Sequence, residues 1–92
     1  MKVQIVSVKF SADAAQAVYA FSDGTRVYYD EQAHAVLCKK DGAISFVKGD
    51  NEYINSILNY NGNCGDEQTM TGPDWGEWRR TRARAEGKVI SR

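Results

Sequence analysis

Arg79, Arg80, Arg82, Arg84 and Lys88 fall within ten residues near the C-terminus, with Glu86 as the single acid among them. Guanidinium forks bind phosphates and carboxylates at two points, and an ammonium binds either as a point charge. At 100° per residue, a helix through this stretch puts Trp75, Trp78, Arg82 and Ala85 on one side. Arg80, Arg84 and Lys88 then form a stripe on the opposite side, one turn apart. The Trp side is expected to dock on the body, with the Arg82 guanidinium against an indole. The stripe faces out. Like charges four residues apart repel by a few tenths of a kcal/mol, so an anionic partner gives the arrangement its reason. The expected contact residues for nucleic acid or an acidic protein patch are therefore Arg79, Arg80, Arg82, Arg84 and Lys88. The competing expectation is a solvated helix face with internal ion pairs.

The charge balance sharpens that choice. Residues 1–78 carry six Lys/Arg against eleven Asp/Glu, a balance of −5, and residues 79–92 carry +5. The chain is an acidic body with a basic end, although its formal net charge is zero. Such asymmetry points to a nucleic-acid or acidic partner.

Other chemistry finds little support. His34, Cys38 and Cys64 are the only His and Cys residues, and a closed tetrahedral zinc site needs four ligands. Cys64 as a nucleophile would need His34 across space, with no motif behind it. The carboxylate pairs Asp30-Glu31 and Asp66-Glu67 are adjacent residues, which face apart on an extended segment. Phosphate-binding Gly loops, dinucleotide fingerprints and nucleophile elbows are missing. The chain is read as non-enzymatic, with no cofactor, metal or small-molecule substrate. Tyr19, Tyr28, Tyr29 and Tyr60 raise a separate idea, a sheet that stacks single-stranded bases, against ordinary cross-strand packing.

These side chains need a scaffold, and the pattern supplies one: an α+β domain over 1–92. The expectation is an antiparallel sheet of about 4–5 strands in residues 1–48, with one or two C-terminal helices packed on it. Residues 2–10 read as a strand whose apolar phase switches between Ile5 and Val6, the mark of a bulge or of a strand covered on both sides. Residues 11–16 read as a polar connection. Asp23-Gly24 and Asp41-Gly42 each signal a hairpin, the first expected as a type I′ turn. Val27 and Tyr29 are expected inward, with Arg26, Tyr28 and Asp30 outward. A helix is predicted over 50–61, capped by Asp50 and closed by Gly62, with Tyr53, Ile54, Ile57, Leu58 and Tyr60 on its apolar side. Residues 62–73, with three Gly and the only Pro, read as a long loop. A basic helix is predicted over 74–86, capped by Asp74 with Glu77 as its capping-box partner. Residues 88–92 read as a frayed tail or an added edge strand. Lys2 leads into a stretch too short and too β-like for a signal peptide, and no apolar run approaches a membrane span. Reduced thiols in a cytoplasm are the matching expectation.

The opening Met1-Lys-Val-Gln-Ile-Val-Ser-Val-Lys-Phe10, the hairpin at 18–30 and the tail Gly72-Pro-Asp-Trp-Gly-Glu-Trp-Arg-Arg80 resemble, in size and β-first layout, the phage-encoded anti-CRISPR proteins of the type I-F (Csy complex) class. Those proteins share no motif, so no site residue is carried over. The resemblance implies a stoichiometric inhibitor in the host bacterial cytoplasm. Such an inhibitor binds Cas subunits of the guide-RNA complex, blocks target DNA by occlusion, and leaves direct contact with the guide RNA open. The second function class is a small nucleic-acid-binding module that uses the same basic helix.

Overall fold

A computed structural model describes residues 3–30, 35–47, 51–62 and 64–87. The chain is α+β, as expected. Strands β1 (Ile5–Phe10), β2 (Gln16–Phe21), β3 (Arg26–Asp30), β4 (Ala35–Cys38) and β5 (Ile44–Val47) precede helix α1 (Glu52–Leu58). Strand β6 (Glu67–Thr69) and helix α2 (Gly72–Ala85) follow. The sheet runs β5-β4-β3-β2-β1-β6, with every pair antiparallel except β1 and β6.

The first five strands form a meander because their connections are short. Phe21 N–H donates to the Thr25 carbonyl (2.8 Å) and Gly24 N–H to the Phe21 carbonyl (3.0 Å). Lys39, Ala43 and Gly42 repeat that pattern at 2.8 and 2.9 Å. These are three-residue loops with one positive φ each, at Gly24 (+91°) and Gly42 (+94°). The expected type I′ turn, which needs two, is corrected to a loop ending in a left-handed glycine. The preceding aspartate locks each loop: Asp23 accepts from Thr25 N–H (2.9 Å) and Asp41 from Ala43 N–H (3.0 Å).

Residues 11–16 close a third turn by the same device. Asp13 accepts from Ala15 N–H (3.1 Å) and from the Ser11 hydroxyl (2.7 Å). Here Ala14 holds the left-handed position, at φ +61°. A Cβ is disfavoured there, by more than glycine loses in chain entropy. Ala14→Gly is expected to stabilise the protein by roughly 0.5–1 kcal/mol, read as a higher urea midpoint at unchanged slope. A lower midpoint would mean that the turn does not need this conformation.

The phase switch in β1 is a bulge. Ile5 pairs with Phe21 and Ser7 with Ala20, which leaves Val6 as the extra residue. Val6 is 47% exposed, while Ile5, Val8 and Phe10 all join the same core.

The sheet is covered on both faces, and this corrects the expected inside and outside of β3. Tyr19, Phe21, Val27 and Leu37 pack with Tyr53, Ile54 and Ile57 of α1. On the other face Tyr28 and Val36 pack with Met70 and with Trp78 of α2, flanked by Val18, Ile44, Phe46 and Trp75. Tyr28 is therefore buried rather than outward, and Asp30 is buried with it. Tyr19 is core, edge-on to Phe10, Tyr29 and Tyr60 at 6.1, 6.4 and 5.9 Å. Tyr19 and Tyr28 are buried and Tyr29 and Tyr60 lie half-buried against the same side as Tyr19, so packing accounts for all four rings.

Helix α1 is shorter than 50–61. Its N-cap is Asn51, whose side chain accepts from Tyr53 N–H (2.8 Å) and Ile54 N–H (3.4 Å). Asp50, the expected cap, lies outside the described residues. Leu58, expected inward, is 65% exposed because Tyr53, Ile54 and Ile57 already fill the facing stripe of a two-turn helix. The Tyr53 hydroxyl donates to Asp23 at 2.5 Å and ties α1 to the β2–β3 turn. Ile57→Ala is expected to cost about 2–5 kcal/mol in a urea melt, and a cost below about 1 would place the residue outside the core.

The stretch 62–73 is not all loop. Glu67–Thr69 adds β6 beside β1, with Val8, Lys9 and Phe10 opposite Glu67, Gln68 and Thr69. Met70 N–H then donates to the Phe10 carbonyl (2.8 Å), and the chain turns into α2. The cap of α2 is Thr71 rather than Asp74. Asp74 sits one turn in and accepts from Thr71 N–H (2.8 Å) and its hydroxyl (2.9 Å). Gly87, at φ +77°, ends the helix where expected. Residues 88–92, predicted as tail or edge strand, lie outside the described residues.

Candidate functional site

Helix α2 carries the candidate site, and its docking decides which arginines are free. Trp78, Thr81 and Ala85 point to the sheet, with Trp78 only 5% exposed. Three polar clasps hold the helix. Lys9 Nζ lies 3.2 Å from Asp74 Oδ1. Glu77 Oε2 accepts from the Tyr28 hydroxyl (3.0 Å) and pairs with Arg26 Nη1 (3.3 Å). Arg82 Nη1 lies 3.5 Å from Asp30 Oδ2, and Arg82 Nε donates to Glu86 at 3.3 Å.

Arg82 thus works inward. Its guanidinium also lies over the Trp78 ring, 5.7 Å from the centroid, as its place on the wheel predicts. Arg79, Arg80 and Arg84 are exposed, and none forms an ion pair among the described residues. The Arg80 side chain folds back over Gly76, where a Cβ would stand 3.2 Å from Nη1. Lys88 lies outside the described residues. Internal pairing therefore accounts for Arg82 but not for the outer arginines. The C-terminal dipole of α2 favours Arg84 in the last turn, by roughly 0.3–1 kcal/mol, and does not reach Arg79 or Arg80.

The chain has no significant match among protein-family models, curated proteins or solved structures.

Between α2 and the sheet lies a small cleft of about 180 Å³, floored by Val18 and Ala20 and walled by Lys9, Arg26, Tyr28, Asp74 and Glu77. Its partners are 65 residues apart for Lys9 and Asp74 and 49 for Tyr28 and Glu77, a separation that no local pattern of residues announces. Each charged group in it is already paired. Burial pushes the Tyr28 hydroxyl up to about 12, with Arg26 opposing and the bond to Glu77 reinforcing. A raised tyrosine contributes stability that is complete below its unfolded value, near 10, and is lost as pH climbs through about 12. Wild-type stability is expected to fall more steeply than that of Tyr28→Phe across this window, as read from urea melts on either side. Parallel curves would mean that Tyr28 does not titrate with unfolding.

A wider cleft of about 760 Å³ runs between α1 and the start of β1, lined by Val3, Ile5, Glu52, Ser56, Asn59 and Tyr60 among others. It brings together side-chain amides, hydroxyls and one carboxylate, that of Glu52. Tyr60 donates to the Glu67 carboxylate, and Cys64 Sγ stands 3.2 Å from its oxygen. Burial, with those two neighbours, raises the Tyr60 hydroxyl. This trio staples the loop before β6 to the core. Cys38 and Cys64 are free and half-buried. Among the described residues no three His, Cys, Asp or Glu side chains converge as a metal site would require. His34 and Glu31 lie outside the described residues. No helix is long and apolar enough to cross a membrane among those described.

Proposed function

We propose that this protein is a small non-enzymatic inhibitor of the phage anti-CRISPR kind. It docks on a CRISPR–Cas surveillance complex in the host bacterial cytoplasm and blocks target DNA by occlusion. The observation that carries the reading is the outer face of α2. Three exposed arginines form no ion pair among the described residues, on a helix that three clasps and a buried Trp hold in a fixed orientation. A helix already fixed on the body meets an anionic surface with only its arginine side chains left to order, which lowers the cost of binding. The stripe of Arg80 and Arg84 repels itself until an anion arrives. The size of the chain and its β-first layout add the resemblance to type I-F inhibitors.

The test is capture of a purified type I-F complex by the immobilised protein, with and without nuclease. Stoichiometric capture that survives nuclease supports the reading, with a buried surface of about 1,200–2,000 Å² or more. A small nucleic-acid-binding module is the second reading, favoured by the same arginines. It predicts instead tight, strongly salt-dependent binding of short RNA or DNA without Cas proteins.

A further inference from the structure

We propose a second docking surface, on the α1 side of the sheet, where an extended peptide adds as a strand to the bare upstream edge of β1. It does not depend on the reading of α2, which covers the other face. The main-chain groups of Gln4 face β2: its carbonyl accepts from Ser22 N–H (2.8 Å) and its N–H donates to Ser22 Oγ (3.2 Å). Strand alternation therefore turns the N–H and C=O groups of Val3 and Ile5 away from β2. Past the bulge, Val8 and Phe10 face that same outer side, and β6 takes them up. Val8 N–H donates to the Asp66 carbonyl (3.0 Å), and the Phe10 carbonyl accepts from Met70 N–H (2.8 Å). β6 pairs only with Val8, Lys9 and Phe10, and no other described strand lies on that side of β1. The open edge over residues 3–7 reads Val-Gln-Ile-Val-Ser, with neither the charge nor the proline that commonly guards one.

The cleft of about 760 Å³ lies along this edge, with Val3, Gln4 and Ile5 on one side and Glu52, Ser56 and Asn59 of α1 on the other. Glu52 to Asn59 spans roughly 10 Å of helix and residues 3–7 roughly 13 Å of strand, room for about four residues of an incoming strand. Tyr60 lines the cleft and donates to Glu67, the first residue of β6, so the incoming strand continues the line that β6 occupies. The two sides define the occupant. A bare main-chain edge is matched by another main chain, and the Ser56 hydroxyl and Asn59 amide suit the far edge of the same strand. Glu52 is exposed and forms no ion pair among the described residues, so it favours a Lys or Arg in the peptide.

The experiment selects peptides of about six residues from a random displayed library on the immobilised protein, then measures the selected peptides by fluorescence anisotropy. Alternating β-branched sequences that carry Lys or Arg should be enriched. Methylating every second amide blocks the paired edge in one phase and spares it in the other. One phase should therefore weaken binding at least about tenfold and the other by less. Ser56→Trp fills the cleft and should abolish binding. Glu52→Lys, at an exposed site, should turn the selection toward Asp and Glu. The Arg80→Ala/Arg84→Ala variant should bind the same peptides as wild type does, which separates this surface from the α2 face. A urea melt shows that each variant is folded. No enrichment, equal binding of both methylated phases, or indifference to Ser56→Trp and Glu52→Lys overturns the inference. If sedimentation instead shows a dimer that Ser56→Trp dissociates, the cleft belongs to a second copy and the peptide proposal falls.

Discussion

Trp78→Ala is expected to lower the stability of the domain by about 3–5 kcal/mol, the largest loss of any single substitution in α2. Trp78 is 5% exposed and fills the second core together with Tyr28, Val36 and Met70. The other residues of α2 that point to the sheet, Thr81 and Ala85, are too small to fill the lost volume. A domain of this length has about 5–14 kcal/mol in total, so the loss is a large share of it. One atom makes the prediction sharper. Trp78 Nε1 is buried and has no hydrogen-bond partner among the described residues. A buried orphan donor is itself destabilising, by about 1–3 kcal/mol. Trp78→Phe removes the orphan and keeps most of the packing, so it should cost under about 2 kcal/mol. Urea melts of the two variants decide the point. If Trp78→Ala melts like wild type and abolishes partner binding, the Trp side is the interface and α2 is docked the other way round.

Replacing Arg80 and Arg84 together by Ala is expected to leave the melt unchanged and to weaken partner binding at least about tenfold, since each charge-assisted contact contributes about 1.5–3 kcal/mol. Neither side chain forms an ion pair among the described residues, so the fold loses a mutual repulsion and, at Arg84, a helix-dipole contribution of similar size and opposite sign, which leaves the melt nearly unmoved. Arg82→Ala behaves differently. It strips Asp30 of a cation and Trp78 of its cover, so its effect should appear in the melt. Loss of binding by Arg82→Ala at wild-type stability would show that the helix presents its other flank.

Much of this was legible in the residues. Asp23-Gly24 and Asp41-Gly42 marked both hairpins, because a left-handed position after an aspartate has few other uses. The exact loop was not legible, since two- and three-residue loops share the same dipeptide. The switch between Ile5 and Val6 announced the bulge. The wheel sent Arg80 and Arg84 outward and laid Arg82 on Trp78. Strand β6 was hidden because three exposed residues carry no period, and its parallel pairing with β1 joins segments about sixty residues apart. Tyr28 was misplaced for a related reason. A strand covered on both faces loses the alternation that separates inside from outside, and the cover over Tyr28 comes from α2, 49 residues away along the chain from Tyr28 to Glu77. Asn51 took the cap expected of its neighbour Asp50 because both residues suit the role.

The most direct test of the central claim is a target-DNA binding assay on a reconstituted type I-F complex, preincubated with wild-type protein or with the Arg80→Ala/Arg84→Ala variant. The account predicts that wild type blocks DNA at about one equivalent, and that the variant, equally folded, needs at least about ten times more. Full block by both proteins at the same concentration would remove the arginine face from the mechanism. No block by wild type at any concentration would contradict the inhibitor reading itself.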